Sequence, residues 1–268
     1  MLAGPLPLAK ARLEGVRAVF ADVDGTLTTD GRITSTVLGA IEWLVGHRVK
    51  VVLVSGRPSS WGECWIRQLP VAAVIVENGG MAWVRDGDHL EKHFAQTAAV
   101  RARNRVRLGR VVALAMKRVK GARLSTDSLG REVDLAIDHS EDGHVGVKGV
   151  DALEAILQAH GVTAVRSSVH VNCWIGDFDK RSAVAAFLRE QWNEKLEATD
   201  PRYVYVGDSF NDAPMFEAFS LSVGVANVMD VIDRLDAAPK FVTRAREGRG
   251  FCELVDAIAR AQKRGDKS

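Results

Sequence analysis

The chain has 268 residues, 47% hydrophobic and 26% charged, an ordinary globular balance with enough apolar mass for one large domain or two modest ones. A formal net charge of +2 is too mild to make nucleic acid or a membrane surface the main partner. The three cysteines, Cys64, Cys173 and Cys252, are widely spaced and odd in number, and no CxxC or Cys/His cluster occurs, so neither a disulfide framework nor a zinc site is read; each is expected as a small buried or half-buried residue in a reducing compartment.

The opening stretch "MLAGPLPLAKARLEG" lacks a charged region followed by a long apolar core, and no segment approaches the roughly 18 apolar residues of a membrane span. A soluble cytoplasmic protein is expected. Val16 to Ala21 then reads as a buried strand, and Ser35 to Val45 has apolar residues at helical spacing with Thr34 or Ser35 as N-cap. "VKVVLVSGR" (Val49 to Arg57) is the β-branched run of a strand covered on both faces. A helix over Ser59 to Leu69, stopped by Pro70, leads to a short strand, Val71 to Val76, that ends in "ENGG".

After Gly80 the pattern changes. "MAWVRDGDHLEKHF" predicts a hairpin turning at Asp86-Gly87, Ala95 to Val119 a long Arg-rich helix, and Arg131 to Asp138 a half-buried strand. Val150 to His160 predicts a second helix, and Val165 to Gly176 one or two strands. Strand–helix alternation returns with a helix over Lys180 to Trp192, the strand "RYVYVGD" (Arg202 to Asp208), a helix begun by "NDAPMFEAF", and a last helix from Phe251 to Lys263. The fold class is therefore α/β: a Rossmann-like parallel sheet core, 1–82 and 177–268, interrupted by an α+β cap, 83–176.

Ligands of open α/β sheets bind at the carboxyl ends of the strands. Asp22 ends the first strand in "DVDGT", with Asp24 redirected by the flexible Gly25. Ser55 ends another strand in "VSGR", Asp208 ends a third in "GDSFND", and Lys180 opens the helix after the insert. Converging carboxylates call for a divalent cation, and hard oxygen ligands suit Mg²⁺. An ammonium group and a hydroxyl beside them suit a phosphoryl group.

These four ordered motifs resemble those of the haloacid dehalogenase superfamily of phosphotransferases. The insert's place between the second and third motifs, with "ENGG" (Glu77 to Gly80) and "GVAN" (Gly224 to Asn227), is similar to the class IIB branch of sugar-phosphate phosphatases and Cof-like enzymes. The resemblance implies a phosphomonoester hydrolase acting through an aspartyl-phosphate on a small phosphorylated metabolite, a sugar phosphate by expectation. It makes Asp22 the nucleophile and Asp24 the general acid and base. Mg²⁺ would be held by Asp22, the Asp24 carbonyl and Asp208, with Asp212 orienting the ion's waters or Lys180. Ser55, Gly56, Arg57 and Asn211 would serve the phosphate, Lys180 would neutralise charge, and Thr26 would support the loop. A phosphomutase of the phosphomannomutase type is the alternative within enzymes.

Substrate choice is expected from the cap. "DLAIDHSED" offers Asp134, Asp138, His139, Glu141 and Asp142, and "SSVHVNCW" offers Ser168, His170, Asn172 and Trp174. His170 and Asn172 share a strand face. Glu77 and Asn78, at the next strand end, are further candidates for substrate contact. Asn172 stands where sugar-phosphate phosphatases often carry an acid, a departure from their pattern. On the long helix, Arg103, Arg107, Arg110 and Lys117 form one side, and Leu108, Val111, Val112, Ala115, Met116 and Val119 the other. A solvated outer face is the expectation. A non-catalytic protein binding through that basic face is the alternative from another class, and no aromatic residues interleave with the arginines as single-strand stacking requires.

Overall fold

The computed structural model describes residues 4–167 and 169–265; Ser168, a candidate cap contact, lies outside the described residues. The chain begins with β1 (Leu6–Pro7), β2 (Ala18–Ala21) and a ribbon of β3 (Thr28–Thr29) and β4 (Arg32–Ile33). There follow α1 (Ser35–Gly46), β5 (Lys50–Val54), α2 (Ser59–Gln68), β6 (Ala73–Val76), β7 (Met81–Asp86) and β8 (His89–Phe94). A second module holds α3 (Ala98–Arg118), β9 (Arg123–Leu124), β10 (Leu135–Asp138), α4 (Val147–Ala159), β11 (Thr163–Arg166) and β12 (His170–Trp174). The chain returns to the first module through α5 (Lys180–Trp192), β13 (Tyr203–Gly207), α6 (Ala213–Ala218), β14 (Leu221–Gly224), β15 (Phe241–Val242) and α7 (Glu247–Gly265).

The large sheet has the order β1-β15-β14-β13-β2-β5-β6-β7-β8, parallel up to β6 and antiparallel beyond it. Strand periodicity divides its side chains between two cores. Val19, Ala21, Val51 and Leu53 pack with α1 and α7, whereas Phe20, Val52 and Val54 pack with Val184, Phe187 and Phe216 of α5 and α6. Both faces are covered, which is why these strands read as continuous apolar runs. Because β13 and β5 flank β2, the residues just after these three strands, Asp208, Ser55 and Asp22, meet at one edge.

The cap sheet is antiparallel, β11-β12-β10-β9. Val171 and Cys173 of β12 face α3 and α4, leaving His170, Asn172 and Trp174 toward the core. The apolar side of α3 (Leu108, Val111, Val112, Ala115) is buried, and Arg103, Arg107, Arg110 and Lys117 are exposed. Arg107 donates to the His160 carbonyl at 2.8 Å, so this residue helps hold α3 to the end of α4. Among the described residues no helix is long and apolar enough to cross a membrane.

Three expectations need correction. The hairpin 81–94, placed mostly in the cap by its sequence, extends the core sheet instead, because β7 turns back on β6 through the short Glu77–Gly80 connection. Its loop is Gly87-Asp88, one residue later than read, since Asp86 pairs with His89 and Gly87 supplies the positive φ of 56°. Cys64 is exposed on α2, unlike the buried Cys173 and half-buried Cys252.

Candidate active site

Asp22, Asp208 and Asp212 are buried and offer carboxylate oxygens within 4.8 Å of one another. Lys180 Nζ donates to Asp22 Oδ1 at 2.7 Å and to Asp212 Oδ1 at 2.6 Å. Its position is set by a local device. Asp179 caps α5, accepting from Ser182 N at 2.7 Å while Asp179 N donates to Ser182 Oγ at 2.9 Å, so the first helical residue is fixed in direction. Asp212 also accepts from Tyr205 Oη and from the backbone N–H groups of Asp208 and Ser209 at 2.9 and 3.0 Å. Its oxygens are thus committed to holding the loop and the lysine. Asp208 accepts from Thr26 Oγ1 at 2.9 Å and from Asn227 Nδ2 at 3.0 Å.

Three acids share one ammonium, which leaves two negative charges uncompensated when all are ionised. Burial first, then Asp212 and Asp24, pushes the Asp22 carboxyl up to about 8 against the pull of Lys180. Burial, with Asp22 and Asp212, likewise raises Asp208 well above the carboxylate range. Burial alone would lower Lys180, but Asp212 and Asp22 outweigh it and hold the ammonium above the ordinary lysine range. A buried, all-oxygen set with an excess of two negative charges fits a divalent cation of the Mg²⁺ kind.

On the facing side, Arg57 holds Asp24 through Nε and Nη2, both at 2.8 Å. The same guanidinium reaches Glu141 of the cap, with Nη2 to Oε1 at 2.7 Å and Nη1 to Oε2 at 3.1 Å. Trp61 lies against the Arg57 guanidinium, 4.5 Å from its ring centroid. Ser55 Oγ accepts from Arg57 N at 3.1 Å. Asp22, Asp24, Ser55, Gly56, Arg57, His170, Asn172 and Asn211 line one small cavity of about 10 Å³. That is room for about one water molecule, so the cap residues His170 and Asn172 leave little space above Asp22 and Asp24. A wider cleft of about 730 Å³ opens on the other side of Lys180 and Asn211.

A family model of haloacid dehalogenase-like hydrolases matches residues 19–106. The chain is 28% identical over 240 residues to a phosphoglycolate phosphatase of Halobacterium salinarum, covering 88% of this chain and 95% of that protein. It is 29% identical over 245 residues to one of Natronomonas pharaonis, covering 90% and 97%. Over residues 19–106 the chain is similar to the haloacid dehalogenase-like hydrolases. The fold of this chain matches that of Thermoplasma acidophilum 0175 with a TM-score of 0.70 at 22% identity, over 91% of this chain and 98% of the other. It also matches the sucrose-phosphatase of Synechocystis sp. PCC6803, solved with sucrose and phosphate, with a TM-score of 0.64 at 14% identity, over 92% and 98%.

The expected site residues do not all converge. Glu77, expected as a substrate contact, is fully buried and points away from the cavity. Its carboxylate accepts backbone N–H groups from Ser59 (2.9 Å), Glu132 (2.9 Å), Val133 (2.6 Å) and Asp134 (3.0 Å). It ties the cap's return strand to the start of α2, and this saturation offsets the left-handed backbone of Glu77 and Asn78, φ 51° and 54°. Glu77→Gln loses part of that acceptor set; a fall of about 1–3 kcal/mol in unfolding free energy is expected from denaturant titration. Asn78 donates to Asp134 Oδ2 at 3.4 Å and is not among the residues lining the small cavity. Asp138 shapes its own loop, and Trp174 donates to the Phe178 carbonyl at 2.9 Å.

Sequence reasoning assigned no role to Tyr205 or Asn227. Asn227 closes "GVAN" and bridges the Gly25 carbonyl and Asp208, both at 3.0 Å. Its place just beyond β14, beside β13, was the signal that could have found it. Gly25 carries a second requirement besides its φ of 77°: a Cβ there would lie 2.5 Å from Asp208 Oδ2. Gly25→Ala is expected to displace Asp208 and lower phosphate release by roughly 100-fold, a loss that steady-state assay with Mg²⁺ would register.

Proposed function

We propose that this phosphatase is a Mg²⁺-dependent phosphomonoesterase that uses Asp22 as its nucleophile. The observation that carries the reading is the buried Asp22 carboxylate, held by Lys180 beside Asp208 and lining one small cavity with Asp24. Asp22, the Asp24 carbonyl and Asp208 would hold the ion, with Asp212 holding Lys180 and the 208–209 backbone. When bound, the ion supplies positive charge that offsets repulsion between the anionic nucleophile and the phosphoryl oxygens.

In the first step an Asp22 oxygen bonds to phosphorus and the ester P–O bond breaks. Asp24 delivers its proton to the departing alkoxide, so no free alkoxide forms. In the second step Asp24 takes a proton from water as the water oxygen bonds to phosphorus. The bond to Asp22 breaks and inorganic phosphate leaves. In the structure Arg57 holds the Asp24 carboxylate through both oxygens, so for the first step one oxygen would leave Arg57 and carry the proton taken from solvent while the other keeps the carboxyl in place. Ser55, Gly56 and Asn211, which line the small cavity, would hold the phosphoryl oxygens once the cap has lifted to admit them, and Lys180 neutralises charge on Asp22 throughout. The small size of the cavity supports a cap that lifts to admit substrate and then closes to exclude water from the first step.

The relatives named as phosphoglycolate phosphatases support 2-phosphoglycolate as the first substrate to try. The test is phosphate release from 2-phosphoglycolate, hexose phosphates and phosphorylated disaccharides, with Mg²⁺ and with chelator. Release only with Mg²⁺, fastest from 2-phosphoglycolate, is the expected result. A hexose phosphate as the best substrate would favour the sugar-phosphate reading. Movement of phosphate between sugar hydroxyls without release would favour a mutase. No turnover of any compound would overturn the proposal.

A further inference from the structure

The cap places a carboxylate where no catalytic step uses one. Glu141 sits in the loop that follows β10, and its two oxygens face Arg57 at 2.7 and 3.1 Å. His170 Nε2, on β12, lies 2.9 Å from Glu141 Oε2, an ion-pair distance without good hydrogen-bond alignment. The Arg57 and His170 side chains are buried, whereas the Glu141 side chain is 30% exposed. The receptor is therefore interior and the anion that fills it is held on a loop. His170 first, and Arg57 with it, keep the Glu141 carboxyl down at about 2, so it stays anionic at neutral pH.

The loop is built to present this group. Asp138 accepts from the backbone N–H groups of Ser140 (3.1 Å), Glu141 (2.9 Å) and Asp142 (3.1 Å), and Arg123 holds Asp138 at 3.2 Å. The receptor borders the catalytic groups directly. Arg57 grips Asp24, the proton donor to the leaving oxygen, on one side and Glu141 on the other. His170 and Asn172 line the same cavity, and Asn172 Oδ1 is buried with no partner.

We propose that Arg57 and His170 form the receptor for an anionic group, a carboxylate, on the alcohol portion of the substrate, and that Glu141 is an internal stand-in for that group. The proposal rests on the phosphatase reading above. A short phosphorylated hydroxy acid would bring its carboxylate to Arg57 and His170 as its ester oxygen meets Asp24, and Glu141 would swing toward solvent. A neutral leaving group leaves the Arg57–Glu141 pair intact and gains nothing from the receptor. Glu141 then acts as a selectivity residue. Asp24 holds Nε and Nη2 of the guanidinium and Asp127 lies 3.5 Å from Nη1, while Glu141 fills the remaining Nη1/Nη2 edge when the site is empty. An anion of matching charge is what can replace it there without leaving that buried edge short of an acceptor.

The experiment compares 2-phosphoglycolate with 2-hydroxyethyl phosphate, which carries a hydroxymethyl group in place of the carboxylate, for wild type and Glu141→Gln with Mg²⁺. Removing the competing charge should lower KM for 2-phosphoglycolate by roughly tenfold, with KM for the neutral ester moving less than about twofold. An unchanged or higher KM for 2-phosphoglycolate, or a KM increase for the neutral ester, would mean that Glu141 is not a stand-in but an ordinary latch or a contact to substrate hydroxyls. Thermal melting of both proteins checks that the variant folds. Wild type that cleaves neither ester nor any other phosphomonoester defeats the phosphatase reading, whereas wild type that cleaves both with an indifferent variant defeats this inference alone.

Discussion

Asp22→Asn should lower phosphate release by about 10⁴-fold or more, the scale on which loss of a covalent nucleophile is felt when its partners remain. The amide keeps the shape and one hydrogen-bond acceptor for Lys180, so the fold survives. The stability profile supplies a second readout. In metal-free wild type the native Asp22 carboxyl titrates at about 8, whereas the unfolded chain releases that proton near 3.8. Between those values the native state binds more protons than the unfolded state. Stability contributed through this group therefore falls as pH rises from about 4 to about 8. In chelator the variant should show a flatter decline across that window, and near pH 8 its melting temperature should equal or exceed that of wild type. A phosphoenzyme trapped from wild type and absent from the variant completes the test. Turnover retained within tenfold would remove Asp22 from the nucleophile's role.

The motifs were legible because their signals are local. A β-branched run followed by an acid or a serine marks the end of a buried strand, and adjacency of β13, β2 and β5 does the rest. Lys180 is placed by a capping box within four residues, so its helix begins where the sequence put it. Glu77 carries the same outward signature as Asp22, an acid at the end of an apolar strand. Its role is decided by backbone N–H groups at residues 132–134, 55 or more positions away, and by a left-handed turn that aims it backward. The hairpin of β7 and β8 was visible from its Asp-Gly turn signal, but a turn does not say which sheet edge a hairpin joins. Arg57 was read as a phosphate residue because it adjoins Ser55. Its pairing with Asp24 and Glu141 spans 33 and 84 positions and needed the folded chain to appear.

Lys180→Met should be the most damaging single change to the site's stability. The ammonium is buried between Asp22 and Asp212 at 2.7 and 2.6 Å, and methionine fills much of its volume without its charge. Breaking a buried pair from one side leaves an uncompensated charge and costs about 3–5 kcal/mol. For a chain of this size that corresponds to roughly 6–20 °C in melting temperature. Activity should fall by at least about 10³-fold, since phosphate and Asp22 would face each other without the cation between them. The loss of stability should depend on what else can neutralise the acids. Millimolar Mg²⁺ should recover part of it, because an ion that binds only the native state stabilises by mass action. Lowering the pH toward 5 should also narrow the gap to wild type, as Asp22 and Asp208, already raised by burial, take up protons. A deficit insensitive to both Mg²⁺ and pH would assign the damage to lost packing and contradict the charge account. A variant as stable as wild type in chelator at pH 8 would show that the three carboxylates need no internal counter-ion.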